Sequence, residues 1–151
     1  MMIFLCAIPF FGMAQEGLSG NVYPRMRVIL DNDYAGDPDG LFQLVQHLLS
    51  PSVEIRGIIG SHLKPGDGFD PSKETATRAG ENINEVLKLF ALDGKFSVYQ
   101  GSNIGLKDAE TPNEPEAAKA IIKEAMRIDT EAPLFVLCGG GLSEIVSADL
   151  L

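Results

Sequence analysis

Residues 28–40 read Val-Ile-Leu-Asp-Asn-Asp-Tyr-Ala-Gly-Asp-Pro-Asp-Gly, and the interpretation of the whole chain starts from this stretch. Three apolar residues are followed at once by four aspartates within nine residues. The aspartates are Asp31, Asp33, Asp37 and Asp39. A short apolar run bounded by turn residues is typical of a buried strand. The stretch therefore predicts a buried strand that opens into an acidic loop.

The crowding of these aspartates indicates a bound cation. Carboxylates held this close repel one another unless a cation neutralises them or some take up protons. Oxygen-only ligands suit Ca²⁺ or Mg²⁺, and no cysteine lies near the loop to indicate a softer metal. Gly36 and Gly40 allow sharp turns, and Pro38 stiffens the loop. The alternative is a solvated acidic loop in which Asp39 caps the next helix, since Asp-Gly and Asp-Pro are ordinary turn dipeptides.

Strand-like and helical patterns alternate along the chain from Arg25 onward. Such alternation is typical of a parallel sheet covered by helices. The sequence therefore predicts an α/β fold with a mainly parallel, Rossmann-like open sheet and helices on both faces. The predicted strands are 27–30, 53–60, 96–99 and one that begins at Pro133; the predicted helices are 39–49, 72–90, 115–128 and one that follows the glycines at 139–141.

Two further segments at the ends of predicted strands carry candidate functional residues. Residues 61–68 form a long polar loop that contains His62, and a long loop inside a compact α/β unit is often functional. The alternative for His62 is a surface or capping histidine. Gly139-Gly140-Gly141 follow the fourth strand and precede a helix, so they predict a close backbone approach or merely a tight turn. Ligands bind parallel sheets at the edge where the strands end. The His62 loop and the glycine segment are expected to lie beside the acidic loop at this edge.

Residues 30–44, Leu-Asp-Asn-Asp-Tyr-Ala-Gly-Asp-Pro-Asp-Gly-Leu-Phe-Gln-Leu, resemble the N-terminal motif of the inosine-uridine-preferring nucleoside hydrolase superfamily. Residues 140–144, Gly-Gly-Leu-Ser-Glu, are similar to a second family motif, Gly-Pro-Leu-Thr-Asn. The resemblance covers residues 25–151 and implies a Ca²⁺-dependent hydrolase of N-glycosidic bonds in ribonucleosides or related sugar derivatives. In the family the ion holds the ribose hydroxyls and a water. An aspartate takes the proton from that water as it attacks the anomeric carbon.

The resemblance assigns metal ligands and a base. Asp33 matches a ligand aspartate of the family, and Asp39 matches the first residue of the family's Asp-Asp pair, the expected base and a further ligand. Gly40 stands where the family has a second aspartate. Asp37 is expected to supply the missing oxygen from within the loop. Ser143 stands at the position of a threonine whose backbone carbonyl binds the ion.

Two other residues, Asp31 and His62, are expected to contact a small-molecule substrate. Family members carry a second half with a further aspartate ligand and groups around the leaving base. Residues 25–151 are therefore expected to be the N-terminal portion of a nucleoside hydrolase-like domain, with a site that is incomplete by itself. Since the family forms homo-oligomers, a homo-oligomer is a further expectation.

Composition limits the classes of partner. A chain of 151 residues that is 45% hydrophobic, with a mean hydropathy of +0.09, is long and apolar enough for one domain with a core. Its net charge of −9 and pI near 4.6 argue against nucleic acid as a partner, because no basic patch offers contacts to phosphates. The two cysteines, Cys6 and Cys138, cannot define a disulfide framework.

The N-terminal segment resembles an export signal. Residues 1–14 are apolar and end in small residues, which predicts a signal peptide cleaved after Ala14, although a basic start is missing. Residues 15–24 then read as a linker. This prediction makes the protein periplasmic or secreted, with no membrane contact after the leader is removed. The alternative is a buried N-terminal strand.

Two other functions compete with the hydrolase interpretation. Val-Ile-Leu-Asp-Asn-Asp also resembles the Asp-x-Asp strand of haloacid-dehalogenase-like phosphohydrolases, which would make Asp31 a nucleophile and the ion Mg²⁺. The acidic loop also follows part of the spacing of an EF-hand loop, which would make the chain a non-enzymatic Ca²⁺-binding module. Phe42, however, stands where an EF-hand has its bidentate glutamate, and a strand precedes the loop instead of a helix.

Overall fold

The computed structural model describes residues 22–113 and 115–151. The predicted signal peptide and residues 15–21 of the predicted linker lie outside the described residues. Strands and helices alternate strictly along the described chain. They are β1 (Met26–Asn32), α1 (Asp39–Leu48), β2 (Val53–Gly60), α2 (Thr75–Leu89), β3 (Val98–Gln100), α3 (Glu116–Ala125), β4 (Leu134–Cys138) and α4 (Ser143–Leu150).

The described strands form one parallel sheet in the order β3-β2-β1-β4. Strand β1 is central, because it pairs with β2 on one side and with β4 on the other. One irregularity interrupts the pairing of β1 with β2, between Val28 and Ile29. The predicted α/β class and parallel sheet are confirmed.

Helices cover both faces of the sheet, as predicted. On one face, Val28 and Leu30 of β1 pack with Leu44 of α1 and with Ala79 and Ile83 of α2. On the other face, Ile29 and Ile59 pack with Ala117 and Ile121 of α3, and Ile145 of α4 joins them. The alternation of neighbouring residues along β1 between the two cores is the period of a strand buried on both sides.

Close approach of α2 to the sheet depends on a glycine at the end of β2. A Cβ added at Gly60 would lie 2.7 Å from the backbone nitrogen of Gly80 and 2.9 Å from Cβ of Ala79. Any side chain at position 60 would therefore push α2 away from the sheet.

Several element boundaries differ from the sequence-based prediction. Helix α2 begins at Thr75 and not at residue 72, because Ser72 is held in a turn by the Asp70 carboxylate, which accepts its backbone N–H at 2.9 Å. Helix α1 ends at Leu48, one residue before the predicted end, and Leu49 is 66% exposed. Strand β4 is parallel as predicted, but within the described chain only β1 pairs with it, and Phe135 is 46% exposed.

A buried carboxylate ties α3 to the amino end of the sheet. Glu124, only 8% exposed, accepts hydrogen bonds from Arg27 at 2.7 Å, from Arg56 at 3.1 Å and from Arg127 at 3.2 Å. Burial opposes the ionisation of Glu124, but the hydrogen bonds and charges of these guanidinium groups outweigh it and hold its pKa below the ordinary value. The network joins one helix to two strands through a single side chain.

Replacement of Glu124 by glutamine is expected to lower the free energy of unfolding at pH 7 by about 2 kcal/mol, because Arg27 loses its buried counter-charge. Since the folded-state pKa of Glu124 is depressed, its contribution is fully present above the unfolded pKa near 4.5 and is lost as the pH falls through the folded-state pKa. Urea unfolding from pH 7 to pH 3 measures the difference, with Glu85→Gln on the exposed face of α2 as the control. A difference that does not shrink toward pH 3 would contradict this account.

Candidate metal site at the carboxyl edge of the sheet

The ends of the four described strands lie at one edge of the sheet, because the strands are parallel. Backbone hydrogen bonds continue past the strand ends: Ser61 N–H donates to the Asn32 carbonyl at 2.9 Å, and Gly139 N–H donates to the Asp31 carbonyl at 2.8 Å. Gly101 N–H donates to the Gly60 carbonyl at 3.0 Å. The acidic loop, the His62 loop and the glycine segment therefore start side by side, as the sequence predicts.

Asp31 is completely buried at the end of β1. The Ser61 hydroxyl donates a hydrogen bond to Oδ1 of Asp31, while Oδ2 is buried and has no hydrogen-bond partner among the described residues. Burial raises the pKa of Asp31 to about 7. The hydrogen bond from Ser61 opposes this rise, and the charges of Glu144 and Asp33 add to it. The structure places this predicted substrate contact behind the loop, where solvent does not reach it.

Asp33 begins the acidic loop and is half-buried. The Asn32 side-chain oxygen accepts its N–H at 2.8 Å, and the Asp33 carbonyl accepts the Gly36 N–H at 2.7 Å, which closes a tight turn. Burial raises the pKa of the Asp33 carboxyl, and the charges of Asp39, Asp37 and Asp67 raise it further. The mutual repulsion expected from the sequence is therefore present at Asp33.

Asp37 and Asp39 are exposed and in direct contact. The Asp37 carboxylate accepts a hydrogen bond at 3.2 Å from the backbone N–H of Asp39, which is the first residue of α1. Hydrogen bonding to the Asp37 side chain, followed by burial and the charge of Asp37, raises the pKa of Asp39. Among the residues that the structure describes, no three His, Cys, Asp or Glu side chains are grouped closely enough to hold a metal ion. Asp33 therefore approaches the Asp37–Asp39 pair without forming a closed set of ligands with it.

Gly40 has a packing role that explains its difference from the family motif. It is buried, and a Cβ at this position would lie 3.1 Å from the side-chain nitrogen of Asn32 and 3.4 Å from Cδ1 of Tyr34. The same Asn32 nitrogen donates to the Gln43 side-chain oxygen at 2.9 Å. An aspartate at position 40 would have to displace this hydrogen-bonded amide.

The glycine segment packs directly on the acidic loop. A Cβ on Gly139 would overlap the Asn32 side chain. A Cβ on Gly140 would lie 3.0 Å from the backbone nitrogen of Asp33 and 3.3 Å from its Cγ. Ser143, the predicted carbonyl ligand, is the first residue of α4 and is buried. The structure thus brings the two separated motifs together at Asp33 and Gly140.

Glu144 is a site residue that the sequence analysis missed. It is completely buried, and its Oε1 accepts the Ser102 N–H at 2.8 Å, while Oε2 has no partner among the described residues. Burial raises the pKa of Glu144, although the Ser102 hydrogen bond and the nearby His62 oppose the rise. The only signal in the sequence is an acidic residue immediately after Gly-Gly-Gly-Leu-Ser, and a glutamate in the first turn of a helix is ordinarily exposed.

His62 lies between the loops that follow β3 and β4. A Cβ on Gly105 would lie 3.5 Å from its Nε2, and a Cβ on Gly141 would lie 3.4 Å from its Cε1. The ring is half-buried, and Nδ1 has no hydrogen-bond partner among the described residues. His62 also lines a cavity of about 410 Å³. The role of His62 as a substrate contact stays a prediction.

Comparisons of the chain with protein-family models, with curated proteins and with solved structures found no significant match. None of the helices formed by the described residues combines the length and apolar character needed to cross a membrane.

Proposed function

We propose that this chain belongs to a Ca²⁺-dependent hydrolase that cleaves N-glycosidic bonds in ribonucleosides or related sugar derivatives. The observation that carries the proposal is the contact of Gly140 with Asp33. It unites the two segments on which the resemblance to nucleoside hydrolases rests, at the edge of a parallel sheet where ligands bind. Fold alone would not support this function, because α/β sheets of this type carry many activities.

The chemistry of the donors fits calcium. The side chains around Asp33 offer carboxylate oxygens, and the charges of Asp37 and Asp39 already raise the pKa of Asp33, a conflict that a divalent cation relieves. Asp33, Asp37, Asp39 and the Ser143 carbonyl would hold the ion. Among the described residues, no three acidic, cysteine or histidine side chains lie close enough together to bind one ion. Loop movement or oxygen atoms from elsewhere must therefore complete the coordination of calcium. When bound, the ion would coordinate the sugar hydroxyls and the attacking water.

Asp39 and the residues around the acidic loop would have separate roles in the reaction. Asp39 is exposed at the start of α1, where an aspartate can meet a water and take its proton. Asn32 orients the backbone of Asp33, and buried Asp31 fixes the loop to Ser61. The protein would act on a small molecule after export, as a monomer or as a homo-oligomer.

The phosphohydrolase alternative is disfavoured by the position of Asp31. A nucleophile must reach the phosphorus atom, whereas Asp31 is 0% exposed and its Oδ1 accepts the Ser61 hydroxyl. An EF-hand-like module is disfavoured for the same reason, since its first ligand would be Asp31. Phe42, at the last ligand position of such a loop, is 75% exposed on α1.

The proposal is tested by titrating Ca²⁺ and Mg²⁺ separately into the purified protein by calorimetry, and by assaying base release from inosine and uridine. We expect Ca²⁺ to bind more tightly than Mg²⁺, and base release to require Ca²⁺ and to stop with a chelator. Ca²⁺ binding without base release would favour the non-enzymatic module. A covalent phosphate on Asp31 after incubation with a phosphate ester and Mg²⁺ would favour the phosphohydrolase.

A further inference from the structure

A cavity of about 410 Å³ lies next to the acidic loop, between residues 62–75 and residues 103–105. It is large enough to hold a small organic ligand. Leu63 forms one wall and also packs against the acidic loop, where a Cβ on Gly36 would lie 2.9 Å from its Cδ2. Proline side chains and Ile104 supply further apolar surface. The cavity therefore adjoins the proposed calcium site without being part of it.

The charge of the cavity differs from that of the chain. The protein has a net charge of −9, yet no aspartate or glutamate lines the cavity, whereas Lys73 and His62 do. The acids of the same loop are engaged elsewhere. Asp70 accepts the Ser72 N–H at 2.9 Å and lies 3.4 Å from Arg78, and Asp67 accepts the Phe69 N–H at 2.9 Å. The lining of the cavity therefore carries Lys73 and His62 but no carboxylate, beside an acidic site.

The polar groups of the lining leave donors free for a ligand. The Asn103 side-chain oxygen accepts the N–H groups of Ala76 and Thr77, so these two donors at the start of α2 are already satisfied. No described carboxylate forms an ion pair with Lys73, which is exposed, and the His62 ring turns Nε2 toward Gly105 of the cavity lining. A ligand in the cavity would therefore be held by side chains of the loop and not by the helix terminus.

We propose that this cavity binds a phosphate group of the substrate, with Lys73 and His62 as its recognition residues. The inference rests on the proposed function, because it takes the cavity as the part of the substrate site that lies beyond the scissile bond. An ammonium group is a common partner of phosphate in proteins, and His62 lines the same cavity as a second nitrogen-bearing side chain. The substrate class is then a phosphorylated nucleoside or a related phosphorylated glycoside.

The test is calorimetric binding of ribose 5-phosphate and of ribose in the presence of a chelator. Removing the ion separates this test from the proposed function, because a failure to bind calcium leaves the result unaffected. We expect ribose 5-phosphate to bind and ribose to give no heat at the same concentration. Lys73→Gln is expected to weaken the binding of ribose 5-phosphate about tenfold.

Lys64→Gln is the matched control, because Lys64 belongs to the same loop, is 79% exposed and does not line the cavity. It should leave the affinity for ribose 5-phosphate unchanged. Equal binding of the two sugars, equal losses in the two lysine variants, or no binding of ribose 5-phosphate would each overturn the proposal. Both lysines are exposed, so neither substitution is expected to disturb folding.

Discussion

Replacement of Asp33 by alanine is expected to weaken Ca²⁺ binding at least about 100-fold, because affinity in calcium sites depends strongly on the number of charged ligands. Asp33 is the acidic residue at which the two sequence motifs meet. Gly140 packs on it, and Asp37, Asp39 and Asp67 all raise the pKa of its carboxyl. Loss of this carboxylate removes the centre of the proposed ligand set. Calorimetric titration of Ca²⁺ into the wild type and the variant measures the change.

The folded structure should tolerate this substitution. Asp33 is half-buried, and the hydrogen bonds that shape the turn come from its backbone, to Asn32 and Gly36, and not from its side chain. Removing a carboxylate that other acids repel is also expected to cost little stability in the absence of calcium. Asp93→Ala, at an exposed acid in the connection between α2 and β3, is the control for loss of one negative charge. Unchanged Ca²⁺ affinity in the Asp33 variant would remove the acidic loop from the metal site.

The alternation of strands and helices made the fold predictable from the sequence. The two longest strands, β1 and β2, contain apolar runs with β-branched residues, and α1, α2 and α3 each bury apolar residues on one face. A parallel sheet follows from placing a helix between successive strands. Helix starts were less predictable. At α2, Ser72 and Asp70 form a turn through a side chain-to-backbone hydrogen bond, and Thr75 accepts the Leu63 N–H from a distant loop. The Ser72–Asp70 hydrogen bond is local, whereas the Leu63–Thr75 hydrogen bond depends on the fold. Together they place the start of the helix at Thr75 instead of residue 72.

The candidate site was predictable where it depends on strand ends and unpredictable where it depends on burial. Asp33 and Gly140 follow adjacent parallel strands, so their meeting is implied by the order of the strands. The burial of Asp31 and Glu144 is not implied, because aspartate and glutamate are rarely enclosed without a partner. Their partners, the Ser61 hydroxyl and the Ser102 N–H, lie in the loops that follow β2 and β3, so these contacts are seen only in the folded structure.

The same argument explains Gly40. In the sequence it is merely a missing acid in a family motif, which weakens the case for metal binding. In the structure, a Cβ at position 40 would lie 3.1 Å from the side-chain nitrogen of Asn32, which donates to Gln43, so the space for a side chain is tight. The difference therefore reflects local packing of α1 against the end of β1. Under the proposed function, the missing ligand oxygen would come from Asp37, which is exposed.

Replacement of Asp39 by asparagine is expected to lower the turnover of a nucleoside substrate by about 10²- to 10⁴-fold, because general-base assistance of this type contributes that much. Asparagine keeps the size of the side chain and one oxygen, so it can still bind the ion, but it cannot accept a proton from the attacking water. Ca²⁺ affinity should therefore fall far less than turnover. Base release at saturating substrate and saturating Ca²⁺ measures the effect, together with calorimetric Ca²⁺ binding to the same variant.

The comparison of the two measurements decides between the roles proposed for Asp39. A base that is removed lowers turnover at every Ca²⁺ concentration, whereas a ligand that is removed lowers activity only until the ion is restored in excess. Asp93→Asn, which neutralises an exposed acid in the connection between α2 and β3, should match the wild type in both measurements. Near-normal turnover of Asp39→Asn would exclude it as the base. The role would then pass to Asp33, the half-buried carboxylate of the acidic loop that packs against Gly140.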